Sequence, residues 1–490
     1  MNITSPKPET SHLAPNEQAL RNCQTALELR DKSDFQGARA VMHPLWERVG
    51  ERPETKGLQV EVRAEVLLTV GILTSWIGSK EGIENAQETA KNLISESISL
   101  YQALGDLTKV AACRAEIAYC YFREGALDEA RIMLTEALQQ LSIQGNTRAR
   151  ALLKLITVEW SASRYDVALE LLTDNAALFR RITDHTIRGN YHNEHAIVLR
   201  HLAKSDPLKR EELLQLAISE YKSADRHFQL AKNKVFRATV KNNLGLIFFN
   251  LSRFRDAYGS IAEARRLAVS VKDKCLIAQF DESRAQVLIA QGKLKEAESV
   301  MRGAVRVLEK SGQQCLLAEA LTTYGIALAR LGKRDQAQFN FQRAMEVAHQ
   351  VGALNKAGLG ALTLIEEVAD LAPDVLDKAY DRAIEWLATS QSQEVLQRLI
   401  AVTKKIRANS SVDVNDENAS GALLNTKCDL TQEKLKHERE LIRQALAKVD
   451  GRLTRAASLL GTTYQGLAYI IEKRHPDLLK ERSPIRRRSN

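Results

Sequence analysis

The chain has 490 residues, of which 44% are hydrophobic and 5% aromatic, and its formal net charge is +9. Ala, Leu, Arg, Glu, Lys and Gln dominate, so the composition favours helices around a large buried core. No run of about 18 apolar residues occurs, so we predict no transmembrane helix and no membrane association. The six cysteines form no CxxC pair, which disfavours a zinc ribbon or a dithiol site and fits a reducing cytoplasm.

The N-terminal segment, residues 1–15, is polar and contains three prolines. It lacks the apolar run that a secretory signal peptide carries. We therefore predict that this segment is disordered and that the protein is cytoplasmic.

Residues 239–348 contain three consecutive copies of one pattern, in which two helical stretches flank a short polar turn (SRF, GKL or GKR). Small residues at fixed points allow the two helices of a pair to approach closely. One pair cannot bury its apolar face alone, so the pattern predicts an array of stacked pairs. The small residues recur every 40 residues: Gly245, Ala285 and Gly325; Ala257, Ala297 and Ala337; Ala264, Ala304 and Ala344.

This arrangement resembles the tetratricopeptide repeat (TPR) family, which places small residues where its paired helices cross and large ones beside them. The period of 40 exceeds the 34 residues usual in that family, so we expect longer helices. The resemblance implies an all-α, TPR-like α-solenoid of antiparallel helix pairs whose groove binds a protein or peptide partner. It implies an architecture and not an activity.

Weaker copies extend the predicted array over residues 16–407, to about nine or ten helix pairs. Segments 58–104 and 186–231 have two-helix character without the full signature, 355–388 is a degraded copy, and 391–407 is a candidate capping helix. The remaining matches are Ala26, Ala38 and Leu45; Ala118, Tyr121, Ala130, Leu134 and Ala137; and Ile156, Ala168 and Leu172.

Two groups of residues in the array invite a chemical interpretation. The spacing of His192, Glu194 and His195 is not that of HExxH and no further ligand is evident, so we interpret them as a solvated or groove-lining helix face. Cys113 and Cys120 lie two helical turns apart, as buried core thiols would. No GxSxG or local nucleophile–histidine signature occurs, and we predict no enzyme, no metal and no cofactor.

Residues 408–430 are rich in Ser, Asn, Asp and Gly and predict a flexible linker. Residues 431–490 then contain fourteen Lys and Arg against seven Asp and Glu, an excess of +7. One-eighth of the chain therefore carries most of the net positive charge, which is typical of a segment that binds a polyanion.

The segment 431–490 begins with a predicted long helix. An apolar stripe runs from Leu435 to Val449, Thr431 is the candidate N-cap, and Asp450-Gly451 ends the helix.

Two short helices follow, with predicted bounds Thr454–Leu460 and Tyr464–Arg474. Gly461 provides a sharp turn between them, and Thr463 is placed to cap the second. Two short helices joined by a glycine turn are the helix-turn-helix pattern.

The run TRAASLLG, residues 454–461, resembles the Fis-type helix-turn-helix, with the small Ala456 and Ala457 where its helices cross. In that family the module usually forms a homodimer and inserts its last helix into the major groove of DNA. Relatives often join it to an ATPase domain, but this sequence contains no GxxxxGK[ST] motif. The resemblance implies a bacterial transcription regulator without that ATPase.

The resemblance also implies which residues contact DNA. Tyr464, Ala468 and Tyr469 stand where relatives often have Arg or Lys, so bidentate recognition of guanine is not expected, whereas Gln465 could read adenine. Lys473, Arg474 and the tail residues 486–488 would add sequence-independent phosphate contacts. The full candidate set is Arg452, Thr454, Thr463, Tyr464, Gln465, Gly466, Ala468, Tyr469, Lys473 and Arg474.

The sequence supports two functional hypotheses. The first is a cytoplasmic regulator, nucleoid-associated when bound, that recognises DNA specifically or semi-specifically and whose array binds a partner that controls the module. The second is a TPR scaffold or adaptor whose C-terminal helices only oligomerise.

Overall fold

The computed structural model describes residues 14–142, 144–368, 371–388, 390, 393–410, 430–449, 451–460, 462 and 464–481. These residues form 23 α-helices and no strand, which confirms the predicted all-α class. The chain divides into two compact units, residues 1–406 and 407–490. Within the described residues, no helix has the length and apolar content needed to span a bilayer.

The first unit is an array of helix pairs of the TPR type, and its last helix, α20, packs Val395 and Val402 into the core of the pair before it. The second helix of the fourth pair is broken at Asn175 into α8 and α9. The helices are α1 (Pro15–Asp31), α2 (Phe35–Met42), α3 (Val60–Glu81), α4 (Ala86–Ala103), α5 (Leu107–Glu124), α6 (Leu127–Gln140), α7 (Asn146–Ser161), α8 (Tyr165–Asp174), α9 (Ala176–Arg181), α10 (His185–Ser205), α11 (Arg210–Leu230), α12 (Lys234–Asn250), α13 (Phe254–Ser270), α14 (Lys274–Ala290), α15 (Leu294–Leu308), α16 (Gln314–Arg330), α17 (Arg334–Gln350), α18 (Leu354–Glu367), α19 (Pro373–Leu387) and α20 (Gln393–Ser410).

The 40-residue period arises from two equal helix-turn units. Helices α12 to α18 begin at intervals of 20 residues. Two positions before each start, at residues 232, 252, 272, 292, 312, 332 and 352, the backbone turns with φ between +55° and +77°. Four of these seven residues are glycines, for which this left-handed conformation has no steric cost. Because α12 to α17 contain 15 to 17 residues each, the repeat is longer than usual, as the sequence predicts.

The recurring small residues lie at the closest helix crossings. Ala257, Ala297 and Ala337 have no exposed surface. A Cβ atom on Gly245 would lie 2.6 Å from Cγ1 of Ile261, well inside van der Waals contact. The predicted positions of tight packing are therefore confirmed.

Two sequence-based assignments are wrong. Helix α2 ends at Met42, because Pro44 has no N–H with which to continue it. Leu45 consequently lies beyond the helix, and Met42 and Trp46 fill the core there instead. Within the second unit the first helix begins at Leu430. The predicted cap, Thr431, is therefore inside that helix, whereas a cap residue has non-helical dihedral angles.

The predicted linker differs from the structure at its start. Helix α20 continues to Ser410, so the first three linker residues are helical. The remaining linker residues, 411–429, and most of the predicted disordered N-terminus, residues 1–13, lie outside the described residues.

Candidate functional site

The second unit is a small three-helix domain. Its helices are α21 (Leu430–Lys448), α22 (Leu453–Leu459) and α23 (Tyr464–Arg474), followed by a 3₁₀ turn, Pro476–Glu481. Gly451, with φ of +73°, reverses the chain after α21 as expected. The domain encloses one apolar core, formed by Ile442, Ala445, Leu446, Leu453, Ala456, Ala457, Leu467, Ile471 and Leu478.

Ion pairs connect α21 to the end of α23 and the 3₁₀ turn. Glu438 on α21 accepts hydrogen bonds from Arg474 and pairs with His475, each over 2.9 Å. His475 is buried, and Arg439 pairs with Asp477 over 2.6 Å. The sequence analysis missed these contacts, because partners 36 to 38 residues apart leave no periodic signal. They fix the end of α23 relative to α21.

In the first unit, the first two helix pairs contact helices much later in the chain. Asp31, at the end of α1, pairs with Arg150 of α7 over 2.8 Å, and its backbone carbonyl accepts a 2.7 Å hydrogen bond from Asn233, the N-cap of α12. Lys80, at the end of α3, lies 3.6 Å from Asp273, the N-cap of α14. The array therefore curves back so that its beginning meets its middle.

A cleft of about 360 Å³ lies where the first helices meet α7, α10 and α12. Its walls combine aromatic, charged and amide side chains. The aromatic residues are Trp76, Tyr119, Phe228 and Phe236; the charged ones are Arg30, Asp31, Glu116, Arg150, Lys154 and Glu194; and the amides are Asn190 and Asn193.

The charged groups of the cleft form two clusters. Lys154 pairs with Glu116 over 2.5 Å, and Asp31 pairs with both Arg30 and Arg150. Burial opposes ionisation of Asp31, but the two guanidinium groups outweigh it and hold the pKa of Asp31 below its usual value. Burial likewise opposes ionisation of Glu116, and Lys154 outweighs it, so the pKa of Glu116 is also lowered. The cleft therefore contains fixed charges at neutral pH.

Glu194 differs from the other cleft carboxylates because it has no cationic partner among the described residues. Burial raises its pKa, although Trp160 donates a 2.7 Å hydrogen bond to it and Asn193 a 3.2 Å one. The neighbouring His192 and His195 both approach Glu220, at 2.6 and 3.5 Å. The three residues of the NYHNEH sequence thus have separate partners, and no cluster of described His, Cys, Asp or Glu side chains could hold a metal ion.

Residues 436–473 match the model of the bacterial regulatory protein, Fis family. The second unit is a Fis-type helix-turn-helix. This match confirms the resemblance carried by the TRAASLLG run. The comparison with curated proteins gives no match.

Several solved structures are similar to the chain at low identity. The Rap protein complexed with competence and sporulation factor is 14% identical, with a TM-score of 0.48 over 70% of this chain and 99% of that one. A STAND protein with a tetratricopeptide repeat sensor from Pyrococcus horikoshii is 15% identical, with a TM-score of 0.48 over 80% and 65%. The apo quorum sensor NprR from B. thuringiensis is 12% identical, with a TM-score of 0.47 over 69% and 89%.

The structure places part of the candidate DNA-contact set on the surface of the Fis-type module. Arg452, just before α22, is exposed, as is Lys473 on α23. Tyr469 is 61% exposed and lies one helical turn before Lys473, so the two share a face of α23. Ala468 packs partly against the core, and Arg474 is paired with Glu438 yet remains half exposed.

Other candidates fall outside this description. Thr463, together with Gly461 and the tail residues 486–488, lies outside the described residues. Thr454, Tyr464, Gln465 and Gly466 lie in α22 and α23, and only their backbones are described.

Proposed function

We propose that the protein is a non-catalytic transcription regulator in which the Fis-type module binds DNA and the TPR array binds a partner that controls it. The match of residues 436–473 to the Fis family carries the first half of this proposal. It is supported by the charge excess of residues 431–490 and by the exposed cations Arg452 and Lys473. The second half rests on the array's cleft, which presents charged and aromatic side chains together.

In this proposal α23 enters the major groove. Tyr464, Gln465 and Tyr469 contact bases, while Arg452, Lys473 and Arg474 hold the phosphates. Thr454, Thr463, Gly466 and Ala468 complete the interface, as the resemblance implies.

We also propose that the module forms a homodimer through α21. Leu441 lies on this helix and is 45% exposed, which leaves apolar surface for a second copy. A two-fold dimer would present two recognition helices to a two-fold DNA site.

The test is a fluorescence-anisotropy titration of random-sequence duplex DNA at several salt concentrations. Full-length protein with Arg452→Gln and Lys473→Gln should bind more weakly to all sequences. Its slope of log K against log salt should be smaller by up to about 0.9 for each lost phosphate contact. The matched control is Lys378→Gln, because Lys378 is equally a surface lysine but lies on α19. No DNA binding by the wild type, or a double variant that binds as the wild type does, would favour the scaffold hypothesis.

A further inference from the structure

The cleft between the first and middle helix pairs contains polar groups that no described residue satisfies. Asn190 has no hydrogen-bond partner among the described residues, and Oδ1 of Asn193 is buried without one. Arg150 reaches both Asp31 and Asp184 through the single nitrogen Nη2, which leaves its other N–H groups without a described partner. Buried polar groups are normally paired, so these atoms mark places for a ligand.

The charge of the cleft favours an anion. Three cations, Arg30, Arg150 and Lys154, line it, but only Asp31 and Glu116 balance them there. The third lining carboxyl, Glu194, is bound to neutral donors. A carboxylate placed beside Arg150 would make charge-assisted hydrogen bonds, which are about twice as strong as neutral ones.

The remaining wall is apolar and suits a compact hydrophobic body. Trp76 stacks on Tyr119 with ring centroids 5.7 Å apart, and Phe228 meets Phe236 edge to face at 5.3 Å. Leu153 and Val240 also line the cleft. A volume of about 360 Å³ falls at the lower end of the range typical of small-molecule sites.

We propose that this cleft binds a small amphipathic carboxylate that also carries an N–H group, such as an N-acylated aromatic amino acid. The carboxylate lies against Arg150 and Asn190, the N–H donates to Oδ1 of Asn193, and the apolar body contacts the aromatic wall. This inference rests on the proposed role of the array in binding a partner. The same chemistry occurs in a free N-acyl amino acid and at the C-terminus of a peptide, and the experiment separates these sources.

Ligand binding would connect distant parts of the array. Arg30 and Asp31 come from α1, Arg150 from α7 and Asn190 from α10, so one bound molecule contacts the first, fourth and fifth helix pairs. A ligand that binds only the folded array stabilises it by mass action. Bound ligand should therefore raise the melting temperature of the first unit.

The test uses full-length protein, calorimetry and thermal melting with four probes: N-acetylphenylalanine, its C-terminal amide, and an acetylated Ala-Ala-Ala-Phe peptide with a free or an amidated C-terminus. We expect the free acids to bind and to raise the melting temperature, and each amide to bind about tenfold more weakly, a difference of about 1.4 kcal/mol. A peptide that binds more tightly than the single residue indicates a peptide C-terminus as the natural source. Equal affinities indicate a free amino-acid derivative.

Two variants locate the site. Asn190→Ala should weaken binding of the free acids about tenfold without disturbing the fold, because Asn190 has no described partner to lose. Asn355→Ala, on the exposed face of α18, is the matched control and should bind as the wild type does. The inference is overturned if no free acid binds, if the amides bind equally well, or if Asn190→Ala retains wild-type affinity. Because no DNA is present, these outcomes are independent of the module's DNA binding.

Discussion

At the scale of single residues, Glu282 shows how the array buries a titratable group without an ion pair. This side chain on α14 accepts 2.6 Å hydrogen bonds from Thr323 and Gln286. Burial raises its pKa from 4.5 to about 7, although both hydrogen bonds oppose the shift. Between about pH 4.5 and 7 the unfolded chain loses this proton while the folded chain keeps it. The stability that Glu282 contributes therefore declines as the pH rises through this window.

Replacing Glu282 with Gln should remove this dependence, because an amide stays neutral and can still accept both hydrogen bonds. We expect Glu282→Gln to raise the melting temperature more at pH 8 than at pH 5, with a stabilisation on the order of 2 kcal/mol at pH 8. Glu346→Gln is the control, because Glu346 lies exposed on the neighbouring α17. An equal effect of Glu282→Gln at both pH values would show that the carboxyl is ionised in the folded array.

Individual residues were predictable where the pattern repeats. Ala257 and Ala297 occupy equivalent positions 40 residues apart, so the sequence alone identifies them as buried. The pair of Asp31 with Arg150 spans 119 residues and occurs once. It depends on how far the array curves, which no local pattern records, so the cleft could not be predicted from the sequence.

At the scale of helices and pairs, the sequence predicted nine or ten pairs and the bounds of the last helix, Tyr464–Arg474, correctly. Helix boundaries were less predictable where tertiary contacts decide them. The short helix α22 begins at Leu453, one residue before its predicted start, because the buried Leu453 belongs to the core. The break between α8 and α9 was not anticipated.

The glycines of the array test the packing of helix pairs. Gly245→Ala should destabilise the array by about 1–3 kcal/mol, because the added Cβ atom would meet Ile261 at 2.6 Å and the carbonyl oxygen of Ala257 at 3.2 Å. Gly303 lies in α15 with open space around it, so Gly303→Ala should stabilise by about 0.5–1 kcal/mol through its effect on the unfolded chain. Chemical denaturation of both variants measures the difference. If Gly245→Ala were as harmless as Gly303→Ala, the helix crossing would not be tight.

At the scale of the whole molecule, two units of different character share one chain. The array offers a cleft with charged, aromatic and unsatisfied polar groups, while the Fis-type module is small and rich in cations. The sequence predicted both units because each has its own signature, a 40-residue period in one and the TRAASLLG run in the other. The control of the module by the array remains a proposal, since neither signature encodes communication between units.

The most direct test of the central claim is a selection of DNA from a random-sequence pool by the full-length protein. The account predicts enrichment of one two-fold sequence whose half-sites lie about one helical turn apart. Gln465→Ala and Tyr469→Ala should reduce that enrichment, whereas Lys378→Gln should not. A pool that stays random after selection with the wild type, or identical enrichment by the Gln465 and Tyr469 variants, would contradict the account.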